Sequence, residues 1–374
     1  MRWALALLMG LHGLIHVIGF AKALSPASVP SLSMSVSRPM RLVWLLTAIL
    51  WVAAAALVVA APDQWWTLAL PALVLSQLAI VGAWNAARMG SIANLMLVIP
   101  IGVASLLHAP WSFGTEYARG VSADTVVAVP ALDQIAEADI AALPRPVQRY
   151  LRYAGAVGRP RIHNYRLQFR GGIREKASDA YMASTTEQFS RVAPASRWFL
   201  MRARRAGIPV EALHVYQGAH ATFRVRVAGA VTVVRADGPE MDQSETVTLF
   251  NDICLLAPAV LVTAPVTWQT VDDQTVRAQF SNAGHTIEAE LTFDENGALT
   301  NFISDDRYRS ADGTTFARER WTTPVSSYRW FGNRRVAATA EARWTTANGA
   351  FTYATFELTN IAYNVSNSSG PFPS

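Results

Sequence analysis

Residues 244–262 read Ser-Glu-Thr-Val-Thr-Leu-Phe-Asn-Asp-Ile-Cys-Leu-Leu-Ala-Pro-Ala-Val-Leu-Val. The second half of this stretch is apolar on every side, which predicts a buried helix. Asp242 or Ser244 can cap its start, and Pro258 predicts a kink or an end. A helix of this kind needs an apolar surface on which to be buried. What surrounds it therefore decides the fold.

The surrounding sequence alternates between apolar and polar residues from about residue 162 onward. In residues 286–293, for example, every second side chain is apolar, which is typical of a strand with one buried face. Turn signals such as Asn282-Ala-Gly and Asp312-Gly separate about ten to twelve such segments. No βαβ alternation is present, so the sheet is predicted to be antiparallel. We predict an α+β fold in which a curved antiparallel half-barrel wraps around the helix.

The first part of the chain predicts a membrane domain. Uncharged runs of 18 to 20 residues cover 3–20, 42–61, 65–84 and 91–108, and about 20 apolar residues span a bilayer as a helix. The first run lacks a clear cleavage site, so we treat it as a retained helix. The charged fraction of the chain, 16%, is below the roughly 25% of soluble proteins. These runs predict a four-helix transmembrane bundle.

The expected domains are a transmembrane domain at 1–111, a linker at 112–138, a β-rich soluble domain at 139–365 and a disordered tail at 366–374. The linker prediction rests on a lack of large apolar residues and of a clear period. Residues 139–155 then predict a short helix that begins near Pro146 and stops at Gly155. Its predicted apolar stripe consists of Val147, Tyr150, Leu151 and Ala154.

The basic residues of the short loops predict the orientation. The first loop holds Lys22, Arg38 and Arg41, and the third holds Arg88. Placing both in the cytoplasm makes the large C-terminal domain extracytoplasmic. Arg2 argues the other way. The predicted location is the cell inner membrane, as a multi-pass protein whose first partner is the lipid bilayer.

Charge is unevenly distributed in the remainder of the chain. Residues 140–235 hold 17 basic and 4 acidic residues, and residues 236–300 hold 1 and 11. We interpret the two segments as neighbouring strands whose outer faces attract. A basic surface facing anionic lipid is the alternative. The pI near 9.5 owes much to the membrane half, so no nucleic-acid partner is expected.

Metal and disulfide chemistry have little support in the sequence. The single cysteine, Cys254, excludes an intramolecular disulfide and a cysteine-based metal site. His12 and His16 share one face of the first helix. They are interpreted either as partners in hydrogen bonds between helices or as ligands of a haem or a metal, and the sequence leaves this choice open. His214 and His220 flank one turn, and a site there depends on the turn length. We expect no cofactor and no metal.

Three polar clusters are the candidate binding site. The first is a polar stripe on the buried helix, and the other two lie near residues 305–308 and 320. The candidate residues are Glu245, Thr248, Asn251, Asp252, Asp305, Asp306, Arg307, Tyr308, Arg320 and Trp321. A buried carboxylate must be paired, and Arg307 or Arg320 is the expected partner of Asp252 or Glu245. The clusters are interpreted either as a network that fixes the helix to the sheet or as a ligand or catalytic site.

Four phrases carry a resemblance to a known family. They are Leu11-His-Gly-Leu-Ile-His16, Leu143-Pro-Arg-Pro-Val-Gln-Arg-Tyr-Leu-Arg152, Glu245-Thr-Val-Thr-Leu-Phe-Asn-Asp252 and Ser304-Asp-Asp-Arg-Tyr308. The chain resembles uncharacterised bacterial membrane proteins that share a domain of unknown function, which implies no activity. The predicted architecture is also similar to the periplasmic lipoprotein-carrier half-barrel, which holds acyl chains. No functional residue is carried over from it.

The leading hypothesis is a membrane-anchored extracytoplasmic module that binds a lipid, an acyl chain or a lipoprotein, with the helix as plug or lid. An envelope enzyme that uses Asp252, Asp305 or Glu245 as acid or base is one alternative. No nucleophile-elbow, zincin, P-loop or dinucleotide motif is present, so enzyme status is left uncertain, leaning to no. A structural or assembly role is the third hypothesis. The identity of the ligand and the oligomeric state are not encoded in these patterns.

Overall fold

The computed structural model describes residues 2–24, 37–125 and 133–366. The chain divides into two compact units, Met1–Ser112 and Phe113–Ser374. The tail predicted at 366–374 lies outside the described residues except for Ser366, and so do residues 126–132 of the predicted linker.

The first unit is helical. Its helices are α1 (Arg2–Leu24), α2 (Arg38–Ala60), α3 (Trp65–Gly82), α4 (Trp84–Ala87) and α5 (Gly90–Leu107). Four of them, α1, α2, α3 and α5, are long and apolar enough to cross a membrane, as predicted. Large apolar side chains such as Leu95 and Ile99 are about 70% exposed on the outside of the unit, where lipid would cover them. The chain is a multi-pass membrane protein.

The second unit is built on one large antiparallel sheet. Its helices are α6 (Phe113–Thr125), α7 (Glu137–Ile140), α8 (Arg145–Tyr153) and α9 (Pro239–Leu256). The strands are β1 (Asn164–Ile173), β2 (Met182–Arg191), β3 (Ser196–Arg205), β4 (Ile208–Gln217), β5 (His220–Val227), β6 (Val231–Ala236), β7 (Val266–Thr270), β8 (Thr275–Asn282), β9 (His285–Phe293), β10 (Leu299–Ser304), β11 (Tyr308–Arg309), β12 (Ala317–Arg318), β13 (Arg320–Thr322), β14 (Val325–Phe331), β15 (Arg334–Thr346) and β16 (Gly349–Tyr363). The described residues thus form sixteen strands rather than the predicted ten to twelve, and three of the additional ones, β11, β12 and β13, are too short to show alternation.

Fourteen strands form the sheet, in the order β6-β5-β4-β3-β2-β1-β16-β15-β13-β10-β9-β8-β7, with β14 paired to β15. The two edge strands, β6 and β7, are consecutive in the chain, and α9 connects them. This connection crosses the concave face from one edge of the sheet to the other. The predicted curved sheet around a helix is therefore confirmed.

Helix α9 is longer at its start than predicted. It begins at Pro239 after Gly238, whose φ of 97° suits glycine. Asp242 and Ser244, the expected caps, lie inside it. The helix ends at Leu256, and a short 3-10 turn over Pro258–Val262 follows, as Pro258 predicts.

One half of the concave face is filled by side chains. Phe250 of α9 stacks on Phe280 of β8 with ring centroids 4.8 Å apart, and it meets Phe302 of β10 at 5.8 Å. Helix α8 closes one side of this core, with the predicted stripe of Val147, Tyr150, Leu151 and Ala154 fully buried. The Tyr150 hydroxyl donates a hydrogen bond of 2.6 Å to the Cys254 carbonyl near the end of α9. Packing therefore fixes α9 against strands β8 to β10.

Helix α6 replaces the first half of the predicted linker. It lies on the outer face of β2, β3 and β4 through Phe113 and Tyr117, which are four residues apart. Gly120 permits the close approach, since a methyl group there would lie 2.2 Å from Trp198. Asp124 accepts hydrogen bonds from Ser196 and from the Trp198 indole. Because the aromatic stripe has only two members, the pattern in the sequence is too weak to predict this helix.

The charge pattern does not arise from neighbouring strands, which corrects that interpretation. The basic segment forms β1 to β6 at one end of the sheet, and the acidic segment contributes β7 to β9 at the other. Strands β16, β15, β13 and β10 separate them. Three of the acidic residues, Asp242, Glu245 and Asp252, are buried on α9 instead.

Candidate functional site

The other half of the concave face holds an open cavity of about 390 Å³. It lies between α9 and strands β1 to β6, β15 and β16. Five alanines line the β15–β16 side of it, where larger side chains would fill the space: Ala337, Ala338, Ala340, Ala342 and Ala354. The remaining apolar lining includes Phe169, Phe199, Met201, Phe223, Leu255 and Phe356. Cavities of this size and character are typical of small-molecule sites.

A buried ion cluster forms the polar side of the cavity. The Nε of Arg197 on β3 lies 2.7 Å from Asp252 Oδ2, and its Nη1 lies 2.8 Å from Glu245 Oε1. Gln188 on β2 donates a hydrogen bond of 2.7 Å to the same Asp252 oxygen. One guanidinium thus holds two carboxylates that lie seven residues, or about two helical turns, apart on one face of α9. The cluster ties α9 to β2 and β3.

His214 on β4 extends this cluster. Its Nε2 lies 2.8 Å from Glu245 Oε2, although neither atom has a well-aligned hydrogen bond. Burial disfavours the Glu245 carboxylate, but His214 and Arg197 outweigh it and lower the pKa of Glu245 to about 2. Burial also lowers the pKa of His214, in spite of the neighbouring Glu245. Glu245 is therefore ionised at neutral pH.

Arg307, between β10 and β11, lines the cavity from the side of β15. Its guanidinium carbon lies 4.3 Å from the centre of the Trp321 ring and 5.2 Å from that of Trp344. Its Nη1 donates to the Tyr353 hydroxyl at 3.1 Å. The Trp321 indole donates to the same hydroxyl at 3.1 Å. Aromatic side chains thus hold this cation in place.

A short hairpin, β11–β12, borders the cavity. Its residues Arg309, Ser310, Ala311 and Phe316 belong to the lining. The Tyr308 amide donates to Ser244 Oγ at 2.9 Å, which ties the hairpin to α9. Gly313 approaches the backbone of Arg235 on β6 so closely that a methyl group would lie 2.3 Å from its carbonyl oxygen. The hairpin therefore bridges α9 and the edge strand β6.

The structure brings six of the ten predicted site residues to one place. Thr248, Asn251, Asp252, Arg307, Tyr308 and Trp321 line the cavity. Glu245 lies in the ion cluster beside it. Asp305, Asp306 and Arg320 do not line the cavity. Asp305 pairs with Arg320 at 2.8 Å on the exposed surface, and Asp306 pairs with Arg318.

The expected partner of the buried carboxylates is corrected by the structure. Arg197, rather than Arg307 or Arg320, pairs with Asp252 and Glu245. Arg320 is exposed while its neighbour Trp321 is buried, because successive residues of a strand point to opposite faces.

Sequence reasoning missed Arg197 and Gln188, and it considered His214 only in a pair with His220. In β3 the run Ser196–Met201 is buried throughout, because α6 covers its outer face and the cavity lies on its inner face. Such a strand does not alternate between apolar and polar residues, so the sequence does not reveal that Arg197 points toward the cavity. The signal that remains is an arginine within a run of large apolar residues.

In the first unit, His12 and His16 form hydrogen bonds between helices. His12 Nε2 lies 2.9 Å from Asn94 Oδ1, and both histidines lie within 3.0 Å of Ser76 Oγ. Such bonds are the usual role of buried polar groups between membrane helices. No group of three metal-ligating side chains occurs among the described residues. His214 is buried while His220 is exposed, so this pair does not form a common site.

Comparisons with known proteins agree with the family resemblance. A model for a family of unknown function, DUF6544, matches residues 133–356. Among solved structures, the chain is similar to the crystal structure of a DUF1329 family protein from Desulfovibrio piger. The two are 12% identical, the match covers 60% of this chain and 93% of that chain, and the TM-score is 0.35. No curated protein matches the chain.

Proposed function

Since this chain belongs to the DUF6544 family of unknown function, we propose from its structure that it is a membrane-anchored module that binds the acyl chain of a lipid or lipoprotein. The observation that carries the proposal is the open apolar cavity beside α9. Folded proteins fill their interiors to the density of organic crystals. An unfilled cavity of about 390 Å³ is therefore space for a ligand.

The walls of the cavity support an apolar ligand. Aromatic and aliphatic side chains make up most of its lining, and each buried methylene group of an acyl chain contributes about 0.8 kcal/mol. Its polar residues are concentrated on α9, β2, β3 and around Arg307, which suits a ligand with a polar end. Four membrane helices on the same chain supply an anchor to the bilayer.

Helix α9 is a wall of the proposed site rather than the lid that the sequence suggested. Its apolar residues belong to the main core, and both carboxylates of the cluster are tied to β3. Moving it would break this core. The hairpin β11–β12 borders the cavity with several exposed residues, so it is the element better suited to move when a ligand enters.

An enzyme that uses the buried carboxylates has less support. A general acid or base must exchange its proton with the substrate. Asp252 and Glu245 are instead both held by Arg197, and Asp305 lies on the surface in a pair with Arg320. The arrangement suits a fixed charged wall better than a proton-transfer site.

We propose that the C-terminal unit is extracytoplasmic, on the outer side of the inner membrane, because the basic residues lie in loops one and three. Alkaline phosphatase fused after Ser374 is expected to be active, since that enzyme requires an oxidising compartment, and green fluorescent protein at the same site is expected to be dark when exported by the general pathway. The opposite pair of results would place the unit in the cytoplasm.

Filling the cavity tests the proposed function. Ala342, on the cavity wall, is replaced by tryptophan, whose side chain occupies the ligand space. Full-length protein is incubated with a total membrane lipid extract, purified in detergent and weighed by native mass spectrometry. We expect bound lipid on the natural protein and at least about tenfold less on Ala342→Trp, because a steric block removes the whole apolar contact.

Ala350→Trp is the matched control, since Ala350 is exposed on the same β15–β16 hairpin. It adds the same side chain outside the cavity and is expected to keep the bound lipid. A natural protein that carries no lipid, or equal lipid on both variants, would contradict the proposed function.

A further inference from the structure

We infer that the ligand of the cavity is an amphiphile whose polar end is an anion, a carboxylate or a phosphate, and that Arg307 binds this end. This inference rests on the proposed function, and it adds the class of head group. It follows from a comparison of the arginines around the cavity and of the partners that each of them has in the described residues.

Four arginines line the cavity, and three of them are occupied. Arg197 pairs with Asp252 and Glu245, and Arg309 pairs with Glu319 at 2.5 Å. Arg174 donates to the carbonyl oxygens of Thr352 and Ala177, each at 2.8 Å. Their donors are thus engaged with carboxylates or backbone.

Arg307 differs from the other three. Among the described residues, no carboxylate forms an ion pair with it. Its one hydrogen bond goes to the neutral Tyr353 hydroxyl, and its Nε is buried without a partner. A buried donor without a partner is costly. An anion bound at the edge of this guanidinium would satisfy it.

Three acidic residues, Glu175, Asp252 and Glu341, line the cavity, and in the described part of the chain none of them forms an ion pair with Arg307. Asp252 is held by Arg197, and Glu341 accepts from Arg343 and Thr352 at 2.8 and 2.7 Å. Arg307 helps to lower the pKa of Glu245 through its charge, but the two carboxylate oxygens of Glu245 contact other residues. Oε1 contacts Arg197, and Oε2 contacts His214. The opposite charge that Arg307 lacks is therefore left for a ligand to supply.

Aromatic side chains hold the Arg307 guanidinium in a position where it can bind an anion. Trp321 and Trp344 lie against the guanidinium, and Tyr353 links Arg307 to Trp321 through its hydroxyl. A planar guanidinium held in this way presents a fork of N–H donors that matches carboxylate and phosphate oxygens. The apolar wall of Ala342, Ala354 and Phe356 begins beside these aromatic residues. A head group at Arg307 would thus leave its chain in the apolar space.

Chain-matched ligands test the inference on the unaltered protein. Full-length protein in a non-ionic detergent is titrated with dodecanoate, dodecanol, dodecanoyl lysophosphatidate, acetate and inorganic phosphate, and bound ligand is measured by native mass spectrometry. We expect dodecanoate or the lysophosphatidate to bind at least about tenfold more tightly than dodecanol, since the charged head adds hydrogen bonds to Arg307. The tighter of the two anions identifies the head group. Acetate and phosphate are expected to bind far more weakly, because they lack the chain.

Arg307→Gln is expected to remove the preference for the anion and leave dodecanol binding unchanged. Arg309→Gln is the control, because it removes the same charge from the same cavity at an arginine that Glu319 already neutralises. Arg307→Lys keeps the charge without the fork and is expected to restore part of the preference. If Arg307→Gln does not fold, the comparison of ligands on the natural protein still decides the question.

Equal affinity for dodecanoate and dodecanol would overturn the inference and leave the proposed function standing. The same holds if Arg307→Gln keeps the full preference, or if acetate and phosphate bind as well as the amphiphiles. Absence of binding by every amphiphile would instead contradict the proposed function itself.

Discussion

Replacement of Arg197 by methionine is expected to lower the free energy of unfolding of the C-terminal unit by about 3–5 kcal/mol. Arg197 is buried and is the shared partner of Asp252 and Glu245, at 2.7 and 2.8 Å. Methionine fills much of the same volume but leaves two carboxylates of α9 without their cation. The cost comes from these unpaired charges rather than from lost packing.

The measurement is urea unfolding of the full-length protein in detergent, followed by tryptophan fluorescence. Arg204→Met is the matched control, because Arg204 is exposed on the same strand and donates a hydrogen bond of 3.3 Å to the Gly207 carbonyl. Surface substitutions of this kind change the stability by about 0.5 kcal/mol or less. Equal loss of stability in both variants would show that the Arg197 cluster does not hold α9 to the sheet.

Replacement of Glu245 by glutamine is expected to remove a pH-dependent part of the stability of the same unit. The pKa of Glu245 falls from 4.5 to about 2 in the folded protein. At about 1.4 kcal/mol for each pKa unit, the carboxylate contributes on the order of 3 kcal/mol at neutral pH. Since the folded pKa is the lower one, this contribution is fully present above pH 4.5 and is lost as the pH falls toward 2.

Urea unfolding of the natural protein and of Glu245→Gln, from pH 7 down to pH 3, checks this expectation. The difference in unfolding free energy between the two is expected to be largest at neutral pH and to shrink below about pH 4.5. Glu357→Gln is the control, because Glu357 is half exposed on β16 and lies 3.7 Å from Arg170 at the surface. A difference that stays constant with pH would mean that Glu245 is not held as the anion by Arg197 and His214.

These two expectations give the polar clusters separate roles. The cluster around Arg197 is balanced by two carboxylates and fixes α9 to β3, as in the interpretation of a network that pins the helix. Arg307 forms no ion pair with a carboxylate of the described residues, and it lies at the border of the apolar space. The two interpretations of the polar residues therefore apply to different members of the set, and only the second leads to a ligand.

Much of the architecture followed from periodicity and composition. Uncharged runs of about 20 residues leave no choice but helices that cross a membrane, because backbone amides in hydrocarbon must bond within the segment. Period-two alternation in β9 specified a strand with one buried face. The apolar run after Phe250 specified a helix that needs burial on every side, and Pro258 marked where it ends.

Pairing between distant strands was beyond the reach of the sequence. That β6 and β7 are opposite edges, and that Arg197 meets Asp252 across 55 positions, depends on how the whole sheet curves. The position of Asp305 and Arg320 on the outer surface depends on which residues of short strands point outward. A shift of one residue would move each side chain to the opposite face of the sheet.

The sequence alone determined that four helices cross a membrane and that a sheet encloses an apolar helix, because both conclusions rest on local patterns of burial. Tertiary structure alone decided that half of the concavity stays open and that Arg197 pairs with two carboxylates. It also decided that Arg307 pairs with no carboxylate in the part of the chain that the structure describes. The cavity and the environment of Arg307 depend on which side chains distant strands place beside them. A local stretch of sequence does not contain this information.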